Sequence, residues 1–139
     1  MTGGLNAASA NDEIWVAAGT YPEHIQISKE VALYGGFKGD ETVLTQRDRT
    51  KNITIIDGGG GDPVPGGTVV KISSNLGAGT RVDGFTITGG HGINGGGIQI
   101  VGSAPVIANN IIKQNKTDGY GAGIAIRYFN PWANYRIMS

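Results

Sequence analysis

Two aspartates stand in nearly the same phrase: Asp57 in Ile56-Asp57-Gly58 and Asp83 in Val82-Asp83-Gly84, 26 residues apart. If the chain returns on itself at that distance, the two carboxylates stack one strand spacing apart, about 4.7–4.9 Å. Such a pair suits the nucleophile and general acid of a retaining glycosidase, which sit about 5–5.5 Å apart. It suits equally a calcium ion, which gathers several oxygen ligands. Asp57 and Asp83 are therefore candidate calcium ligands, with no firm metal site beyond them. Arg81 lies two residues before Asp83, and a polysaccharide lyase needs a base helped by calcium or arginine. Each sharp reading has a plainer rival. Asp-Gly is a turn dipeptide whose carboxylate bonds its own backbone, and Arg81 beside Asp83 also makes a surface ion pair. The plainer readings are preferred, and Ala108 at the next equivalent position limits any site to two repeats.

Candidates for ligand contact are fewer. Lys71, Gln99 and Ala125 fall at equivalent outward positions; a uronate groove would want cations there, and Lys71 alone supplies one. Trp132 and Tyr135 near the end of the chain offer an aromatic platform for a sugar. Asn110 aligns with inward-facing Phe85 and is expected to satisfy backbone groups inside a bend. Two histidines are too few for a histidine-rich metal site. The loop GGHGINGGG is not followed by a helix, which a phosphate cradle requires. No G-x-S-x-G elbow occurs.

The elements that must position these residues are short strands. Ile and Val alternate in bursts, at Ile14 and Val16, Ile25 and Ile27, Val31 and Leu33, Ile53 and Ile55, Val70 and Ile72, Phe85 and Ile87, Ile98 and Ile100, and Ile124 and Ile126. A period of two bounded by Gly, Asn or Asp reads as strand. No helical segments separate the bursts, so a βαβ sheet is disfavoured. The stretch GGGIQI (95–100) recurs as GAGIAI (121–126), VDGFTI aligns with IANNII 25 residues on, and Val70-Lys71-Ile72 aligns with Ile98-Gln99-Ile100. Several landmarks recurring at one period point to a solenoid whose turns lie strand beside strand. The expected fold is all-β, a right-handed parallel β-helix of about five coils with roughly 25–26 residues each. Residues 1–12 form a short N-terminal cap, residues 13–126 the repeats, and residues 127–139 an aromatic-rich cap or a non-native tail.

Composition narrows the function classes. The 139 residues include 25 glycines, 11 Lys plus Arg against 11 Asp plus Glu, and no cysteine. Balanced charge does not point to nucleic acid or an acidic membrane surface. Without cysteine there is no disulfide framework and no thiolate metal site. No apolar run approaches a membrane span of about 18 residues, so membrane insertion is not expected. The opening MTGGLNAASANDE lacks the pattern of a secretory signal; an exported protein would carry one upstream or have lost it.

The stretch DEIWVAAGTYPEHIQISKEVALYGGF (12–37) resembles the opening coil of right-handed β-helix proteins of the pectin-lyase-like superfamily. The stretches IIDGGG, VDGFTITGG, GGGIQI and APVIANNIIKQN resemble the repeats of large secreted or surface-attached bacterial members. The resemblance implies a polysaccharide or glycan partner and a secreted or cell-surface location. Two functions follow as expectations. One is a non-catalytic module of an exported surface protein, used for spacing, adhesion or glycan binding, needing no cofactor and able to self-associate through uncapped ends or the aromatic C-terminal segment. The alternative is a small lyase using Arg81 or a hydrolase using Asp57 and Asp83, with calcium as a candidate cofactor.

Overall fold

The computed structural model describes residues 1–60, 67–129 and 136–138, of which 129 and 136–138 are described by backbone alone. Trp132 and Tyr135 lie outside the described residues. The chain is all-β with few helical residues; among those described they are α1 (Thr2–Ala7) and a 3-10 turn at Leu44–Gln46. The strands are β1 (Glu13–Ala17), β2 (Gly19–Tyr21), β3 (Ile25–Ile27), β4 (Ala32–Phe37), β5 (Thr54–Asp57), β6 (Val70–Ile72), β7 (Arg81–Asp83) and β8 (Thr86–Thr88). They continue as β9 (His91–Gly92), β10 (Ile98–Val101), β11 (Val106–Ala108), β12 (Ile111–Ile112), β13 (Lys116–Thr117), β14 (Ile124–Phe129) and β15 (Arg136–Met138).

Three sheets each stack four parallel strands, in the orders β1-β4-β7-β11, β2-β5-β8-β12 and β3-β6-β10-β14. β15 adds antiparallel to β14, and β9 pairs with β13 in a fourth sheet. Among the described residues no strand pairs with its neighbour in sequence except β14 with β15. Parallel strands cannot be joined by a tight hairpin, so the chain must travel around before returning, an arrangement consistent with a parallel β-helix. In the later passes the step is regular: Arg81 pairs with Val106, Thr86 with Ile111, His91 with Lys116, and Ile98 with Ile124. Earlier steps are uneven. Glu13 pairs with Ala32, only 19 residues on, and Ala32 with Arg81, 49 residues on. The segments 38–53 and 58–69 lengthen that second pass.

The core runs down the middle as ladders of inward side chains. Ile14, Leu33, Val82 and Ile107 form one, and Tyr21, Ile56, Ile87 and Ile112 another. Ile25, Val70, Ile98 and Ile124 form a third, with Ile27, Ile72, Ile100 and Ile126 beside it. Members in the middle of each ladder are buried, and each such side chain contributes about 1.5–3 kcal/mol. At β5 the alternation differs from expectation. Thr54 and Ile56 turn inward and Ile53 is exposed, because the Thr54 hydroxyl accepts the Gly36 N–H at 2.9 Å. At the start of the stack, α1 packs beside β3 and turns Leu5 into the core.

Candidate functional site

β7 ends on Asp83, whose side chain lies on the outer face of the first sheet yet is only 1% exposed. Three neighbours cover it. Arg81, on the same strand, donates from Nε to Oδ2 at 2.9 Å and places Nη2 at 2.9 Å from the same oxygen. Arg47, just after the 3-10 turn, donates from Nη2 to Oδ1 at 2.7 Å, and its Nη1 reaches the Gly35 carbonyl at 3.1 Å. Asn109, one residue past β11, donates to Oδ1 at 3.1 Å. Burial alone would push the Asp83 carboxyl upward. Hydrogen bonds from Arg47, Asn109 and Arg81, with the charge of Arg47, outweigh it and hold the carboxyl below the usual range. Both guanidinium groups also lie over the Tyr34 ring, at 5.1 Å for Arg47 and 5.9 Å for Arg81.

Tyr34 and Trp15 belong to one outward row, in which Trp15 pairs with Tyr34 and Tyr34 with Asp83. Trp15 stacks on Phe37 at 4.8 Å between ring centroids and remains 36% exposed. Its indole Nε1 donates to Glu13 at 3.0 Å. The first sheet thus carries an outer face with exposed tryptophan at one end and, further along, two arginines that share one carboxylate.

Asp57 is elsewhere. The expected stacking of Asp57 on Asp83 does not occur: Asp57 pairs with Thr88 in the second sheet, while Asp83 pairs with Tyr34 and Ala108 in the first. Asp57 Oδ1 accepts the Gly59 N–H at 2.8 Å, the turn bond that Asp-Gly favours. The two carboxylates therefore do not stack one strand spacing apart. Among the described residues no group of three or more His, Asp or Glu side chains gathers to hold a metal. Lys71 sits half-buried in the outward row Gln26–Lys71–Gln99 of the third sheet. It and Arg81 belong to different sheets.

Asn110 does what its alignment suggests. Its Oδ1 accepts the Phe85 N–H at 2.9 Å and its Nδ2 donates to the Val82 carbonyl at 2.9 Å. Asn115 repeats the device five residues on, accepting from Gly90 N–H at 2.9 Å and donating to the Ile87 carbonyl at 3.0 Å. Each amide satisfies two backbone groups at a corner where ladder bonds stop. We expect Asn110→Ala to cost about 1–2 kcal/mol in urea denaturation. A change within experimental error would mean that water replaces the amide. His24 spans the Thr68 and Gly58 carbonyls, at 3.0 Å from Nδ1 and 3.1 Å from Nε2. His91 approaches Asp118 at 3.1 Å.

Arg47 and Asn109 are the members of the Asp83 cluster that sequence reasoning missed, and Arg47 was the less legible of the two. Arg47 is 36 residues from its partner, in an irregular segment, and no local spacing announces it. The one available signal was the run Arg47-Asp48-Arg49 beside strand β4, basic residues set against an outer face that includes an acid. Compared with known proteins, residues 1–139 match the family model described as a protein of unknown function, DUF1565. Neither a curated protein nor a solved structure matches the chain.

Proposed function

The chain belongs to the DUF1565 family, and from that premise we propose that it is a non-catalytic rod: a β-helix module of an exported bacterial surface protein, serving spacing, adhesion or glycan binding. We place its architecture with the right-handed parallel β-helices of the pectin-lyase-like superfamily. Parallel crossovers are right-handed in nearly all cases, which supports the hand. Spacing in the sequence suggests about five coils, whereas four parallel strands in each of three sheets support four passes. α1, with Leu5 in the core, serves as the cap of the first pass.

The observation that carries the non-catalytic reading is the state of Asp83. A general acid needs its proton at working pH, and such carboxyls are tuned upward; this one is held down. A nucleophile needs a free lone pair along its line of attack, and both oxygens of Asp83 are engaged by arginine. Arg81 is likewise committed to Asp83. Glycan contact would use the outer face of the first sheet, where Trp15 presents an exposed ring, with Lys71, Trp132 and Tyr135 as further candidates. Neither a metal nor a cofactor enters this reading, and calcium enters only through the alternative.

The test is a panel of pectic and neutral polysaccharides, with and without calcium, comparing the parent with Asp83→Asn. We expect no turnover on any of them, and retention of the parent but not Trp15→Ala on at least one immobilised glycan. Turnover that disappears in a folded Asp83→Asn variant would overturn the rod and restore the lyase or hydrolase.

A further inference from the structure

The two ends of the stacked sheets differ in a way that makes them fit each other. At the far end the inward ladders finish on Ile107, Ile112, Ile124 and Ile126, all only partly buried. Their equivalents one pass earlier, Val82, Ile87 and Ile98, are 0% exposed. Among the described residues these rows border a cleft of about 350 Å³ lined by Ile100, Ala104, Ile107, Ile124, Ile126 and Tyr128. The outer edges of β11 and β12 have no partner strand among the described residues. Solenoid ends of this kind need a cover, and unpaired edges attract one.

At the near end, β1 and β2 have no partner strand on their outer edges among the described residues, in the same two sheets. Over the third sheet, α1 sits beside β3 and shows outward a small, uncharged face of Thr2, Gly3, Asn6 and Ala7. The cleft at the other end also lies against the third sheet, along β10 and β14. When one copy is set on another in the same direction, the helix faces the cleft and the free edges face free edges. Charge agrees with this. The first pass carries Asp12, Glu13, Glu23 and Glu30 against Lys29 and the N-terminal ammonium paired with Glu23, and the last carries Lys113, Lys116 and Arg127 against Asp118. An acidic rim meets a basic one head to tail, whereas tail to tail would oppose two basic rims.

We propose that copies of this chain associate head to tail, the α1 end of one seating in the apolar cleft at the β11–β14 end of the next. The contact is heterologous, so it leaves one free end of each kind and extends into a linear rod rather than closing as a dimer. This rests on the rod reading for its geometry, yet the two can fail separately: polysaccharide turnover would sink that reading and leave sedimentation unchanged.

Sedimentation velocity of the full chain over a range of concentration and salt tests it. The average mass is expected to rise with concentration without reaching a plateau at two copies, and to fall with added salt. Gly3→Arg adds bulk and positive charge to the helix face at a position with nothing within 4 Å of a new Cβ, so folding is spared. Lys113→Glu/Lys116→Glu changes two exposed side chains at the other rim. Each variant alone should raise the dissociation constant by at least roughly tenfold. Mixed, the two retain complementary ends, and an equimolar mixture should give one-to-one pairs and nothing longer. Three results would overturn the proposal. A wild type that stays monomeric throughout would mean that the chain covers its own cleft. A plateau at two copies that ignores Gly3→Arg would mean a tail-to-tail dimer. Variants that form no pairs on mixing would mean that the two ends do not meet.

Discussion

Asp83→Ala is expected to lower stability by about 3 kcal/mol, a fall of roughly 10 °C in Tm for a domain of this size. The carboxylate is almost fully buried and is the shared counter-charge of Arg47 and Arg81. Removing one partner from a buried ion cluster strands the others, which costs more than the cluster contributes as a whole. The estimate sits at the low end of the usual range because both guanidinium groups keep some water, Arg81 with 32% of its side chain exposed. Arg47 does double duty, since it also ties the 38–53 segment to β4 through the Gly35 carbonyl. A double-mutant cycle on Arg47 and Asp83 should therefore give a coupling of about 1–3 kcal/mol. The pH dependence follows in sign. Asp83 is held below its ordinary value of 3.8, so its contribution is complete above that value and is lost as pH falls through the folded value. In acid titration the wild type should lose stability faster than Asp83→Asn below about pH 4, where the variant has no such carboxylate to protonate. A loss under about 1 kcal/mol for Asp83→Ala would show that solvent screens the pair as it does on an open surface.

The same cluster shows how far the sequence could be read and where it stopped. In the last two passes nothing interrupts the repeat, so GGGIQI falls on GAGIAI and Val82 on Ile107 in the structure as in the alignment. Periodic apolar residues are legible because every turn must fill the same interior. Asp57 misled for a related reason. Every corner of a stacked chain asks for the same turn chemistry, so Ile-Asp-Gly and Val-Asp-Gly appear at strand ends in two different sheets. A shared corner motif marks a corner without saying which one. The second pass also carries two long segments, 38–53 before Asp57 and 58–69 after it, which have no periodic signal to count by. Arg47 comes from one of those segments, and its partner is fixed only by the path the segment takes over the outer face. The corner at Asn109 is a milder case. It holds φ 56° where its equivalent, Gly84, holds 89°, and asparagine is the side chain that tolerates this region best after glycine.

Gly90→Ala is expected to cost about 3 kcal/mol or more, and its cause differs from that at the corners. Gly90 needs no left-handed backbone; it needs an absent side chain. A Cβ there would overlap the Gly96 carbonyl oxygen and come within 2.8 Å of Val69 Cγ2. Its neighbour in space, Gly96, is pressed in turn by the Lys116 carbonyl, and Gly97 would place a Cβ 2.7 Å from the Gly123 carbonyl. Apart from Val69 Cγ2 each obstacle is backbone, and neighbouring passes are tied together there: Val69 N–H donates to Gly96, Gly97 N–H to Ala122, and Lys116 N–H to Gly90. No rotamer can relieve such a clash, so the cost must be met by moving strands that the ladders hold in register. Gly3 supplies the control, being helical and open, and Gly3→Ala should gain about 0.5–1 kcal/mol. Thermal denaturation of the two variants then separates opposite effects of one chemical change. Equal, small shifts would show that the passes can spread by an ångström without loss, and that the glycines of GGGIQI are kept for turning the chain rather than for close approach. A large loss at Gly90 alone would tie the repeated glycine phrase to the spacing between passes, which any side chain at that position would force apart.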